Sequence, residues 1–117
     1  MHAAYLIATV TFALLVTASG IGKMRRDARQ VKVVHETVGV PLKYFPLLAG
    51  CELAGGFGLV GGILWPILGI AAGTGLELYF LGAIVSHLRV GDAKGIGSPV
   101  FMLAFASGVL ILRFMTV

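Results

Sequence analysis

PLLAGCELAGGFGLVGGILW, residues 46–65, is the stretch on which the fold turns. At about 1.5 Å per residue these twenty residues span a hydrocarbon core roughly 30 Å thick. The stretch holds one ionisable side chain, Glu52, and small residues every fourth position at Gly50, Ala54, Gly58 and Gly62. On a helix those four form a stripe along which a second helix can approach closely. A purely lipid-facing helix needs neither the stripe nor the carboxylate. The segment therefore reads as the centre of a small bundle, with Glu52 turned from lipid.

Composition extends this reading to the whole chain. Of 117 residues, 58% are hydrophobic and 12% charged, and the mean hydropathy is +0.99. A soluble domain carries about twice that share of charge, so too few polar residues remain to cover a water-exposed surface. Seventeen glycines sit inside apolar runs, where small residues serve helix packing. The single cysteine, Cys51, excludes an internal disulfide and a CxxC pair, and is expected to be a buried structural thiol.

Three further apolar runs are long enough to span. Residues 3–22 form the first; no Lys or Arg precedes them, so a membrane helix is expected over a signal peptide. Trp65, an interfacial aromatic, and Pro66 separate the second helix from a third over 67–87, giving a tight antiparallel hairpin. Gly69 and Gly73 repeat the four-residue small spacing, with Glu77 next on that line. Pro99 opens the fourth helix, 99–115. Between the first two lies the basic segment 23–38. Its Met24, Ala28, Val31 and Val38 recur at helical spacing, and Lys23, Arg25, Arg26, Arg29 and Lys32 fill the rest. It is expected to be a short amphipathic helix in the membrane interface. A nucleic-acid role does not suit a run between two membrane helices. The expected architecture is a single all-α domain, an integral membrane four-helix bundle with a short basic amphipathic helix between helices 1 and 2.

Eight of the nine Lys and Arg fall in the first and third loops, and only Arg113 lies near the other face. The positive-inside rule makes those loops cytoplasmic and both termini external.

Ionisable groups at membrane depth need a partner or a purpose. Glu52 lies six residues past Pro46, about 9 Å deep, and Glu77 ten residues before His87, about 15 Å deep. Being on adjacent helices, they are candidates for one intramembrane polar cluster with Lys23, His87 and Arg89 at its mouth. Three readings are open. Each carboxyl pairs with a cation reaching in from the basic end or stays protonated and hydrogen-bonded, or the pair lines a ligand pocket, or it conducts protons or ions. Only Thr9, Thr11, Thr74 and Ser107 continue a polar route through the far half, which is thin for transport. His87 heads HLRVGD; its spacing to His35 and Glu36 matches no metal-ligand motif, so no metal site is expected. There is no GxSxG, HExxH or phosphate-cradling loop, and hence no catalytic motif.

These pieces taken together resemble the DoxX-like family of small bacterial membrane proteins. The resemblance rests on Ser19-Gly20 with Lys23, and on Glu36 before Val38-Gly39-Val40-Pro41. It continues in Pro46-Leu47-Leu48-Ala49-Gly50 with Glu52-Leu53-Ala54-Gly55, and in His87-Leu88-Arg89 with Gly91-Asp92. It covers nearly the whole chain and implies a four-helix membrane protein. Some relatives are named as subunits of a thiosulfate:quinone oxidoreductase, and others are associated with membrane redox complexes. The expectation is an accessory or scaffold subunit of a cytoplasmic-membrane complex, redox- or quinone-linked, with other membrane subunits or further copies of itself as partners. The alternative is a small-ligand-binding or transport protein using Glu52 and Glu77. No cofactor motif is evident; a quinone or lipid is what such a pocket would take.

Overall fold

The computed structural model describes residues 2–116, and of Arg29 the backbone alone. It is 88% helical, without strands among the described residues. Four long helices carry the fold: α1 (His2–Met24), α2 (Phe45–Gly61), α3 (Pro66–Arg89) and α4 (Gly97–Thr116). All four, two of them with a preceding 3₁₀ turn, are long and apolar enough to cross a membrane. Each packs against its chain neighbours, and α4 closes back on α1, so the bundle is a four-membered ring. The loops 25–44 and 90–96 lie at one end, called here the basic end. The chain termini and the α2–α3 turn lie at the other.

The core is apolar and aromatic. Tyr5, Phe12, Val16, Leu59, Leu76, Phe80, Met102 and Val109 are buried together, and Phe12 stacks on Phe105 with centroids 5.1 Å apart. Ile7, Leu14, Leu47, Phe57, Ile67 and Phe114 stand on the outside, where bilayer contact makes their exposure favourable. Because lipid is as apolar as the core, close packing rather than water exclusion holds such helices together.

The helix ends differ from the apolar runs by one or two residues, except around α2, where the differences are larger. α2 stops at Gly61 and the chain turns through residues 62–64, with Trp65 extended at φ −125°, ψ 102° before Pro66 starts α3. Pro66 forces this, since it disfavours the helical conformation in the residue before it. At its other end α2 is lengthened by a 3₁₀ turn, Leu42–Tyr44, which restores a spanning length of 20 residues.

The basic segment is helical, but not one α-helix. α1 runs on to Met24, and the chain reverses at Arg26, whose φ of 51° is left-handed. One α turn, Ala28–Gln30, then widens into a π-helix, Val31–Thr37. In it the Val38 N–H donates to the Val33 carbonyl at 3.1 Å and the Thr37 hydroxyl to that of Lys32 at 3.1 Å. A π turn of this length is rare and tends to occur at functional sites.

The small-residue stripe is only half used. Gly58 faces Ala72 and Gly62 faces Gly69 across the α2–α3 contact, while Gly73 faces Leu110 on α4. Gly50 and Ala54 instead lie on the exposed side of α2, and a side chain at Gly50 would meet nothing within 4 Å. The reason is geometric. At 3.6 residues per turn a four-residue spacing drifts about 40° per step, so twelve residues carry the line about a third of the way round the helix. Gly55, against Leu76, and Gly56, against Thr17, take up the packing instead. Cys51, expected inside, is exposed on the same outer side as Gly50.

Candidate functional site

Glu52 is the most enclosed charged group, with no exposed surface. Lys23 Nζ lies 2.6 Å from its Oε1, and the Tyr79 hydroxyl donates to the same oxygen at 2.7 Å. Lys23 also donates to Ser19 Oγ, one turn earlier on α1, at 3.0 Å. One carboxylate thus ties α1, α2 and α3. Its second oxygen, Oε2, is buried with no hydrogen-bond partner among the described residues. Lys23 reaches so deep because a long apolar stem can carry an ammonium along a helix surface, and the four-residue spacing sets Ser19 beneath it.

Glu77 does not join this group. It accepts a hydrogen bond from Ser107 on α4, whose hydroxyl is also 3.0 Å from the Leu103 carbonyl. Glu77 and Tyr79 are two residues apart, about 200° around the helix, so when Tyr79 faces α2, Glu77 faces α4. The two carboxyls expected in one cluster therefore sit on different interfaces.

His87 is built into the end of α3. Gly91 takes a φ of 75°, its N–H bonds to the Leu88 carbonyl at 3.1 Å, and the Asp92 N–H to the His87 carbonyl at 2.9 Å. This is a Schellman cap, in which glycine supplies the left-handed residue. The cap folds Asp92 back beneath His87, so that Asp92 Oδ2 lies 2.8 Å from His87 Nδ1. Asp92 Oδ1 accepts from the Gly95 N–H at 3.2 Å, starting the turn Ala93–Ile96. Arg89, expected beside His87 at the mouth, is exposed, and no ion pair holds it among the described residues.

Between these groups lies a half-open cavity of about 950 Å³. α1 contributes Ser19 and Lys23, α3 contributes Tyr79, Ala83 and His87, and α4 contributes Ser98 and Met102. The π-helical segment lines one side of it with Val33, Val34 and Thr37, followed by its C-cap Val38. Leu15, Phe80 and Met102 lie one to two turns inward from Lys23, His87 and Ser98 along their helices. The cavity is therefore polar at the basic end and apolar towards the bundle centre. Its volume is that of a small-molecule site.

At the opposite end Arg113 is 6% exposed, and its guanidinium lies 4.7 Å from the Tyr5 ring centroid. Arg113 Nε and the Thr9 hydroxyl are buried there without hydrogen-bond partners among the described residues. Sequence reasoning counted Arg113 only for topology. It does not reach Tyr79, and it names Ser19 and Asp92 only among the residues of the family resemblance, without a role in the site; the four-residue step from Ser19 to Lys23 is one available signal. Among the described residues no three His, Cys, Asp or Glu side chains converge as a metal site would require.

A family model described as the DoxX-like family matches residues 7–109. No curated protein and no solved structure matches the chain.

Proposed function

The chain belongs to the DoxX-like family, and on that premise we propose that it binds an amphipathic small molecule, of the quinone or lipid class, in the cavity at the basic end of its bundle. The observation that carries this reading is the cavity itself, about 950 Å³ with one polar end and one apolar end. A ring or head group suits the end walled by Lys23, His87 and Ser98, and an acyl or isoprenoid tail suits Leu15, Phe80 and Met102. Lys23 has three N–H donors. Ser19 and Glu52 take two, which leaves one for a ligand carbonyl or phosphate oxygen. Glu52 is the counter-ion that keeps this ammonium at depth; Glu77 takes no part. The basic loops face the cytoplasm of the cell membrane in this reading, as the positive-inside rule favours.

Native mass spectrometry of the gently extracted protein tests it. The expected spectrum carries a retained quinone or lipid mass, and Ala83→Trp, which puts a bulky ring on the cavity wall, loses it while eluting as a folded protein. A wild-type spectrum without such a mass, or equal retention by Ala83→Trp, would count against the cavity as a binding site.

The accessory-subunit reading is favoured by a separate observation. Gly50 and Ala54 lie a helical turn apart on the outside of α2, and no described residue comes within 4 Å of a side chain placed at Gly50. A partner helix seated there should be displaced by Gly50→Leu. A second protein co-purifying with wild type but not with this variant would make the chain a subunit.

A further inference from the structure

We infer that His87, held by Asp92, is the hydrogen-bond acceptor that reads the ligand's head group, so that the cavity selects a molecule presenting a hydroxyl there. The inference rests on the cavity being the binding site and goes beyond it by assigning the ligand chemistry.

A carboxylate can only accept hydrogen bonds. With Asp92 Oδ2 2.8 Å from Nδ1, the ring proton of the neutral imidazole sits on Nδ1, and Nε2 is left with its lone pair. Nε2 has no hydrogen-bond partner among the described residues, yet it is not one of the polar atoms sealed in protein. His87 as a whole is 6% exposed and lines the cavity. Because His87 lines the cavity, we assign the open space that Nε2 meets to it. A lone pair in that position accepts from an O–H and is left unsatisfied by a carbonyl, while the remaining Lys23 N–H suits an acceptor elsewhere on the same head. A phenol or hydroquinone head group with an apolar tail meets both demands.

Asp92 is a positioning residue in this scheme, and Gly95 makes its role testable. The Gly95 N–H donates to Asp92 Oδ1 at 3.2 Å, and a side chain on Gly95 would lie 2.9 Å from His87 Nδ1, so the turn holds the carboxyl in one orientation. In Asp92→Asn the amide oxygen stays on the Gly95 N–H and the NH₂ turns to His87. Nδ1 must then accept, the ring proton moves to Nε2, and the group facing the ligand changes from acceptor to donor.

The experiment compares a decyl-substituted benzoquinone with its hydroquinone under argon. Retention is measured after rapid gel filtration in detergent. Wild type is expected to hold the hydroquinone about tenfold more tightly than the quinone, the effect of one buried polar group left unpaired. Asp92→Asn should abolish or reverse that preference. A merely structural Asp92 would weaken both probes alike, and an unchanged preference in the folded variant overturns the inference while leaving the cavity reading in place. Binding of neither probe to wild type overturns both for this ligand class. Should Asp92→Asn not fold, His87→Gln decides: its amide offers a donor and an acceptor, so the preference should vanish, and its persistence rules His87 out as the reader.

Discussion

Lys23→Met should destabilise the bundle by about 3–5 kcal/mol, the range for removing one partner from a buried ion pair, and should do so by more than Glu52→Gln. The asymmetry follows from where each group can go. Glu52 is fully enclosed on α2, seven residues past the start of that helix, and one of its oxygens already lacks a partner. Without Lys23 its carboxylate keeps only the Tyr79 hydroxyl, and the carboxyl must either remain an uncompensated charge in an apolar bundle or take up a proton. Lys23 is the second-last residue of α1, so after Glu52→Gln its ammonium can withdraw along the helix to the basic end, or accept the weaker company of an amide oxygen. That change should cost about 1–2 kcal/mol. Lys23→Met combined with Glu52→Leu removes both charges and should recover part of the loss, since an apolar pair of similar volume is often as stable as the buried ion pair it replaces. Midpoints of reversible unfolding in mixed micelles would measure all three. If Glu52→Gln were the more damaging single change, or the double variant worse than Lys23→Met, the pair would not be the lock between α1 and α2.

Much of this architecture is written in local patterns. The spans follow from run length, their starts from Pro46, Pro66 and Pro99, and the enclosure of Glu52 from the absence of any apolar reason to keep a carboxylate in such a run. Depth puts Lys23, His87 and Arg89 alike within reach of Glu52 and does not choose among them; the structure pairs it with Lys23. Rotation about the helix axis is what depth does not supply. Glu52 and Glu77 are at comparable depth, yet Glu77 turns to Ser107 on α4 because α3 gives its α2 side to Tyr79. The same blindness affects the glycines. A four-residue repeat looks like a straight stripe in the sequence, and only its drift puts Gly50 and Ala54 outside while Gly58 and Gly62 stay in. The link from Asp92 to His87 spans five residues, and in a continuing helix those two would not meet. It needs the left-handed turn at Gly91, whose glycine was visible and whose consequence for the histidine was not. The cavity is tertiary throughout, lined on one side by a π-helical segment that basic composition alone reads as a surface helix.

Gly62→Ala is expected to be the most damaging single-methyl change in the protein, costing about 3 kcal/mol or more. Adding a methylene to a packed interior usually costs about 1–3 kcal/mol, because side chains shift to make room. At Gly62 there is no side chain to shift. A Cβ there would lie 2.6 Å from the Gly69 backbone nitrogen and would overlap the Gly69 Cα, so α3 itself has to move. The reciprocal change is milder: a Cβ at Gly69 meets the Gly62 Cα at 3.1 Å, a contact a small tilt relieves, and Gly69→Ala should fall between Gly62→Ala and wild type. Gly50→Ala, with nothing within 4 Å, should stabilise by about 0.5–1 kcal/mol, since alanine is the better helix former. The order of Tm values in detergent is therefore Gly50→Ala, wild type, Gly69→Ala, Gly62→Ala. A Gly62→Ala protein as stable as Gly50→Ala would mean that the helices do not cross backbone to backbone at this point. The contact also bears on the site. Gly62 and Gly69 fix α3 against α2 at the terminal end, the Tyr79–Glu52 hydrogen bond fixes them at the basic end, and α3 supplies the Tyr79, Ala83 and His87 wall of the cavity. A helix levered away at one end pulls on that bond at the other. Gly62→Ala protein that still folds should therefore also retain less ligand than Gly69→Ala, although the substitution lies at the opposite end of the bundle from the cavity.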